Sequence, residues 1–362
     1  MNERKHNGII GIWKFIFAIV IMLFHSRHLY QSLNTSLFKG GYIVVEFFFI
    51  ISGFYFIKNV ITEDYNKETI GKETVAFIYK KIKLFFPYVL VAYIINVGAR
   101  LILFKSETVV NYVNSIWNLL LLRQFGFRAP LYSGQLWYIS VMLLSMFILY
   151  PFIKKYKENF VLIVSPLIVI FMLGYMNFNK VGLDNSYKWW IGFVKSGTLR
   201  GFAEINLGML IYLLNKKLKS IDYTKLGKIL LSLLSEGLLI LVLIIISVID
   251  NFVHYDYVML LFIIISVLIM VSEKTYEYKW LSNNTVFYLE RLSLPIFINH
   301  SAVIDICYYS KLIELEPRLL TIIVVIMTII LSIIEMYLVD ILKKKKVLSK
   351  CSKLIIKNVS LN

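Results

Sequence analysis

Two ionisable side chains interrupt the first apolar segment, which reads GIWKFIFAIVIMLFHS. Lys14 and His25 are eleven residues apart. Eleven residues are close to three helical turns, so a helix projects both side chains from one face, roughly 16 Å apart along its axis. An imidazole titrates near neutral pH and serves as a general base or a nucleophile. The alternatives are that Lys14 extends to the inner membrane surface and that His25 lies at the outer one.

A carboxylate and a pair of lysines follow in the next two apolar segments. Glu46, in GGYIVVEFFFIISGF, lies at a depth comparable to His25. A carboxylate there would fix the imidazole tautomer, so Glu46 is predicted as the catalytic partner of His25. Lys80 and Lys83, in YKKIKLFFPY, share one helical face at the mouth of the third segment and are predicted to hold phosphates of a cofactor. The alternatives are a rim residue for Glu46 and ordinary helix-end lysines for the pair.

Three later side chains complete the set of candidates. Trp137 lies in QLWYISVMLL, Arg200 in LRGFAEINLG and His300 in PIFINHSAVI. Core packing accounts for the aromatic residues but not for Arg200 or His300, because charged and titratable groups inside apolar segments are costly. These three residues are predicted to contact the substrate.

The elements that position these residues are membrane-spanning helices. The chain has 362 residues, of which 59% are hydrophobic and only 17% charged. This composition exceeds what a soluble domain requires, and spans of about 20 apolar residues recur along the chain. The sequence predicts an all-α polytopic membrane protein with ten transmembrane helices, at about 9–25, 41–57, 84–104, 135–153, 160–176, 198–214, 229–249, 257–271, 286–308 and 319–342.

The distribution of basic residues predicts the orientation. The net charge of +17 does not indicate nucleic acid, because most lysines and arginines lie in alternate short loops. With both termini cytoplasmic, these loops face inward as the positive-inside rule requires. Residues 1–345 are expected to form one transmembrane domain and residues 346–362 a basic cytoplasmic tail. The first apolar segment lacks a small-residue cleavage site and is expected to stay as a helix.

Other features of the sequence limit the chemistry. Cys307 and Cys351 lie far apart and have no metal-ligand spacing, so neither a disulfide framework nor a metal site is predicted. The outer loop at 105–134 contains an apolar piece too short to cross a bilayer, which is expected to lie at the interface or to re-enter. In the outer loop at 177–197, Trp189 and Trp190 suit the membrane–water interface.

The order of the motifs resembles membrane acyltransferase family 3, the ten-helix enzymes that O-acylate cell-surface glycans, over nearly the whole chain. In that family the first helix carries an arginine and, eleven positions later, a histidine, which Lys14 and His25 match here. GGYIVVEFFFIISGF is similar to the second helix of the family. KKIKLFFP places Lys80 and Lys83 where the family has two arginines three positions apart, ahead of a proline.

Two later segments are also similar, with Trp137, Pro151 and His300 in the matching places. Three positions that are usually arginine in the family are lysine here. Lysine keeps the positive charge but lacks the planar two-pronged guanidinium.

The resemblance implies an O-acyltransferase in the bacterial plasma membrane. The donor would be a cytoplasmic acyl-coenzyme A, with acetyl-CoA expected, and the acceptor a hydroxyl of a cell-surface or exported polysaccharide. Lys80 and Lys83 would bind donor phosphates, and Lys14 would contact the donor deeper in the bundle. His25 would act as general base or as a transient acyl carrier, with Glu46 orienting it. Polysaccharide assembly proteins are the expected protein partners.

Two other classes of function remain open from the residues alone. A transporter or flippase for a glycan or a lipid-linked sugar explains the spans, the aromatic interior and the intramembrane charges equally well. It does not explain the order of the histidine, the acidic segment and the basic pair. A structural or sensory membrane protein would need none of these polar residues.

Overall fold

The computed structural model describes residues 7–30, 38–103, 108–130, 134–184, 189–249, 255–276 and 278–344. The helices are α1 (Gly8–Ser26), α2 (Val45–Val60), α3 (Ile70–Leu103), α4 (Val109–Asn114), α5 (Ile116–Leu119), α6 (Trp137–Asn159), α7 (Ser165–Phe178), α8 (Ser196–Lys219), α9 (Lys225–Val248), α10 (Asp256–Val271), α11 (Asn284–Tyr309) and α12 (Pro317–Lys344). The strands β1 (Trp190–Ile191) and β2 (Val194–Lys195) form a short antiparallel hairpin. The predicted tail at 346–362 lies outside the described residues.

Helices occupy all ten segments predicted from the sequence, as expected for a helical membrane protein. Among the described residues, six helical stretches are long and apolar enough to cross a membrane; one of them, Gly134–Phe178, contains both α6 and α7. α10 is apolar but shorter. Buried polar residues lower the hydropathy of α8 and α11. Ten membrane passages with both termini in the cytoplasm therefore stay a prediction.

A sharp reversal of the chain separates the fourth and fifth predicted spans. Lys157, at the end of α6, has φ 51° and ψ −131°, a backbone conformation that a residue with a Cβ rarely adopts. Its ammonium group donates to the carbonyl oxygens of Ile61, at 2.9 Å, and Glu63. These bonds attach the reversal to the carboxyl end of α2.

The centre of the bundle is formed by α2 packed in parallel against α8. The two backbones approach so closely at Gly53 and Gly208 that a Cβ on Gly208 would overlap the carbonyl oxygen of Ile50. Small residues permit this approach, as they do at many helix contacts within membranes. The amino-terminal ends of α2 and α8 carry Glu46 and Arg200, and the close packing holds these side chains side by side.

The remaining helices surround this centre. α1 packs along α11, and α11 packs against α3 and α12, while α9 packs against α10. Apolar side chains on the outer surfaces of α7, α9 and α12 are exposed, as a lipid-facing surface requires.

The predicted interfacial loops have the features expected of them. The described part of the 105–134 loop contains the short helices α4 and α5, and Val109, Val110 and Val113 on α4 are exposed. Trp189 and Trp190, beside the β-hairpin, are also exposed. Such apolar surfaces suit the membrane–water interface.

We predict that Gly208→Val lowers the stability of the folded protein by about 1–3 kcal/mol, because its side chain would separate α8 from α2. The measurement is the melting temperature of the purified protein in detergent. Gly237→Val in α9 is the matched control, since a Cβ there meets no atom within 4 Å among the described residues. Equal losses in the two variants would contradict the close contact.

Candidate active site

Two polar pairs join α1 and α11 along their parallel course. Near the amino-terminal ends, the Lys14 ammonium group donates to Glu290 Oε1 at 2.7 Å, and each side chain is about a quarter exposed (23% and 24%). Toward the carboxyl-terminal ends, His25 meets His300. Lys14 and His25 are eleven residues apart on α1, and their partners are ten residues apart on α11. Both predicted residues of α1 therefore face α11.

The two histidine rings are stacked and hydrogen-bonded. Nδ1 of His25 and Nε2 of His300 are 2.9 Å apart, and the ring planes differ by 7°. His300 is buried, with 1% of its surface exposed, while His25 is partly exposed. His25 therefore lies between the buried imidazole and the surroundings of the bundle.

The hydrogen bonds define the tautomers of this pair. Nδ1 of His300 lies 3.3 Å from the carbonyl oxygen of Ile296, and a carbonyl oxygen only accepts. The proton of neutral His300 is therefore on Nδ1, and its Nε2 accepts a hydrogen bond from Nδ1 of His25. Neutral His25 then carries its lone pair on Nε2, the nitrogen that serves as a base or a nucleophile.

Glu46 does not play the orienting role predicted for it. Its carboxylate lies 2.5 Å from the guanidinium of Arg200, and both side chains are buried. The structure places His300 at the nitrogen of His25 where Glu46 was expected. The position of Glu46 in the sequence does not show which neighbouring helix its side chain meets.

Arg200 is the centre of a buried charged cluster. It forms ion pairs with Glu46 and Glu204, and it donates to the carbonyl oxygens of Leu183, at 2.7 Å, and Tyr42, at 3.0 Å. The hydroxyl of Tyr42 donates to Asp256 at 2.7 Å. Arg200 therefore joins the amino-terminal ends of α2 and α8, and Tyr42 connects this cluster to α10.

Aromatic rings connect this cluster to the histidine pair. The Phe24 ring packs 5.1 Å from the His25 ring and 5.8 Å from the Tyr42 ring, between ring centres. The guanidinium of Arg200 lies 5.5 Å from the centre of the Trp137 ring. Phe24 therefore lies between the His25 ring and the Tyr42 ring.

Trp137 also lines a small pocket between the start of α6 and the loop that contains α5. The pocket is lined in part by Asn118, Arg123 and Gln124. Gln124 is buried, and its Nε2 group has no hydrogen-bond partner in the described regions. The neighbouring Gln135 donates to the carbonyl oxygen of Ile298, so the pocket wall is attached to α11 close to His300.

A lysine lies at the rim of this pocket. Lys195 of β2 donates to the carbonyl oxygen of Arg123 at 3.3 Å, and its ammonium group faces the Trp190 ring. Partial burial, together with the charge of Arg123, lowers the pKa of Lys195. Lys195 therefore links the loop that lines the pocket to the aromatic hairpin.

The predicted cofactor-binding lysines lie apart from these groups. Lys80 and Lys83 are exposed on α3, whereas Lys81 between them faces the Phe77 ring at 5.5 Å. The structure thus brings Lys14, His25 and His300 to the α1–α11 contact, and Glu46, Arg200 and Trp137 to a second group. It leaves Lys80 and Lys83 on the surface of the bundle.

Sequence reasoning missed two members of the site. Glu290, the partner of Lys14, precedes His300 by ten residues and so repeats the spacing of Lys14 and His25 on the other helix. This repeated spacing could have identified Glu290 from the sequence. Gln124 carried no signal, because only the folded loop shows that its amide is buried without a partner.

We predict that Arg200→Ala lowers the stability by about 3–5 kcal/mol, because it leaves Glu46 and Glu204 buried without their cation. The melting temperature of the purified protein measures the loss. Arg291→Ala is the control, since the ion pair of Arg291 with Asp340 is more than one-third exposed (35% and 39%) and is expected to contribute at most about 1 kcal/mol. Similar losses in the two variants would argue against the buried cluster.

Comparison with protein-family models identifies an acyltransferase domain, acyltransferase family 3, over residues 7–336. Comparison with curated proteins and with solved structures finds no match. The matched region begins before Lys14 and ends after Glu335, so it contains every helix that contributes to the candidate site. The chain belongs to acyltransferase family 3 and is a membrane acyltransferase.

Proposed function

We propose that the protein transfers an acyl group, with acetyl expected, from cytoplasmic acyl-CoA to a hydroxyl of a cell-surface or exported polysaccharide at the bacterial plasma membrane. The observation that carries the proposal is the hydrogen-bonded pair of His25 and His300. The pair gives neutral His25 its lone pair on Nε2. This is the arrangement that a general base for an acceptor hydroxyl requires.

In the proposed reaction, His25 Nε2 accepts the proton of the acceptor hydroxyl while the hydroxyl oxygen attacks the thioester carbonyl carbon. The C–O bond forms, the C–S bond breaks, and the proton passes to the leaving thiolate to give free CoA. His300 is a positioning residue, because it holds the His25 tautomer through its own bond to the Ile296 carbonyl. The family resemblance allows a second mechanism, in which His25 Nε2 carries the acyl group transiently before the acceptor takes it.

The donor is proposed to enter along the contact of α1 with α11. Lys14 and His25 share one face of α1, roughly 16 Å apart along the helix axis, and the acyl-bearing arm of CoA is long. The ammonium group of Lys14 is paired with a partly exposed carboxylate, a pair that an anionic donor can exchange. Exposed Lys80 and Lys83 on α3 supply the positive charge for donor phosphates.

The acceptor is proposed to dock at the mouth of the pocket lined by Trp137, whose small interior would admit a single hydroxyl group of a sugar. An indole ring offers an apolar face for a sugar ring, and the buried amide of Gln124 offers a donor to a sugar hydroxyl. The attachment of Gln135 to the Ile298 carbonyl keeps this pocket beside the helix that carries His300.

We expect His25→Ala to abolish acyl transfer, with a loss of at least ~100-fold in kcat, because a general base contributes about 10²–10⁴-fold. His300→Phe should lower kcat by at least ~10-fold, with little change in the KM for the donor, because the ring shape stays while the tautomer control is lost. The measurements are thiol release from labelled acyl-CoA by purified protein in vesicles and the O-acyl content of the host polysaccharide.

The control for both variants is the melting temperature of the purified protein, which should stay near the wild-type value. Unchanged O-acyl content with normally expressed His25→Ala would refute the proposal. Movement of glycan across vesicles without donor consumption would instead identify a transporter. Labelled acyl group retained on the wild-type protein, but not on His25→Ala, would indicate the acyl carrier in place of the base.

We also expect Trp137→Ala and Gln124→Ala to raise the KM for the acceptor at least ~5-fold, because each removes a contact of roughly 1 kcal/mol or more in a buried pocket. The rate of donor thioester hydrolysis in the absence of acceptor should not change. The matched control is Trp189→Ala, an exposed tryptophan outside the pocket. A KM for the acceptor that stays at the wild-type value in both pocket variants would exclude this pocket.

A further inference from the structure

A layer of polar side chains separates two apolar clusters between α11 and α12. The outer cluster includes Val303, Cys307 and Val324, and the inner cluster includes Ile296 and Met336. The polar layer between them consists of Asn299 on α11 and of Thr328, Ser332 and Glu335 on α12. An ionisable residue buried in this way within a membrane bundle is a candidate for a binding site.

The polar atoms of this layer are buried but only partly satisfied. Asn299, Ser332 and Glu335 are each 0% exposed. The amide nitrogen of Asn299 donates to Glu335 Oε2. Four oxygen atoms of the layer, Asn299 Oδ1, Thr328 Oγ1, Ser332 Oγ and Glu335 Oε1, have no hydrogen-bond partner within the described parts of the chain.

In the described part of the chain, the hydroxyl of Ser332 lacks a bond that Ser266 on α10 and Ser293 on α11 both form. Ser266 donates to the Phe262 carbonyl at 2.8 Å, and Ser293 donates to the Glu290 carbonyl at 2.7 Å. A serine in a helix commonly forms such a bond to the preceding turn. Ser332 forms no such bond among the described residues, so its oxygen is left for another ligand.

The helical spacing brings the residues that carry three of these oxygens to one level of the bundle. Ser332 precedes Glu335 by three residues and is its neighbour on the helix surface. Helical side chains lean toward the helix N-terminus, so the Glu335 carboxylate leans toward Ser332, and the Asn299 amide contacts that carboxylate from the facing helix. Thr328 lies roughly 10 Å from Glu335 along the axis, too far to share one ion.

We propose that Glu335, Asn299 and Ser332 bind a monovalent cation of the size of Na⁺. Carboxylate, amide and hydroxyl oxygens are the hard ligands that such cations take. A buried carboxylate without a counter-charge is costly, and the described residues provide no ion pair for Glu335. One monovalent cation makes the layer neutral, whereas a divalent ion would leave an excess positive charge.

The bound ion would fix α12 against α11 at Asn299, the residue directly before His300. This proposal does not depend on acyl transfer, because its test measures ion binding and stability.

The test uses the full-length purified protein in lipid nanodiscs, with NaCl replacing choline chloride at a constant total concentration. We expect Na⁺ to raise the melting temperature by about 2 °C or more in a saturable way. Glu335→Gln should remove this response, and Ser332→Ala should raise the half-saturating Na⁺ concentration at least ~3-fold. Ser266→Ala is the matched control, because its hydroxyl already has a backbone partner.

Binding of radioactive Na⁺ to the same nanodiscs gives a second measurement that does not depend on unfolding. If Glu335→Gln yields too little folded protein, the comparison of Ser332→Ala with Ser266→Ala provides the test. A melting temperature that does not respond to Na⁺ would overturn the proposal. A response that is the same in the wild type and in both site variants would overturn it as well.

Discussion

The burial of Arg200 is the constraint on which the packing of α2 against α8 depends. A guanidinium among apolar helices is tolerated only with counter-charges and enough acceptors, and Glu46, Glu204 and two backbone carbonyls supply them. These groups belong to different elements, so satisfying one side chain fixes the positions of α2, α8 and the segment that contains Leu183. The close approach of α2 to α8 through small residues is what brings the opposite charges together.

The helices α1 and α11 form a second unit, held by one pair at each end. Lys14 with Glu290 and His25 with His300 are contacts between residues far apart in sequence but equally spaced along two parallel helices. The pair of Lys14 with Glu290 is partly exposed and exchangeable, while the histidine pair contains a buried ring. This difference in burial is consistent with the proposed path, in which an anionic donor first binds at Lys14 and its acyl group then reaches His25.

Much of this arrangement was predictable from the sequence because it follows from helical periodicity. The ten segments and the common face of Lys14 and His25 required only the positions of the apolar residues. The partners were not predictable, because periodicity fixes the depth and face of a residue within its own helix but not the neighbour that this face meets. Glu46 was therefore paired with His25, although the folded chain turns it toward Arg200. His300 was predicted as a contact of the substrate, and its hydrogen bond to His25 became visible only in three dimensions.

The reversal at Lys157 has a consequence for how the protein assembles in the membrane. A residue with a Cβ in that conformation costs about 1–3 kcal/mol, and here two bonds to carbonyl oxygens near the end of α2 accompany it. The segment around Ile61 is synthesised almost a hundred residues earlier. The acceptors are therefore already present when Lys157 leaves the ribosome. Chain order thus allows an earlier helix to act as the template on which the later hairpin closes.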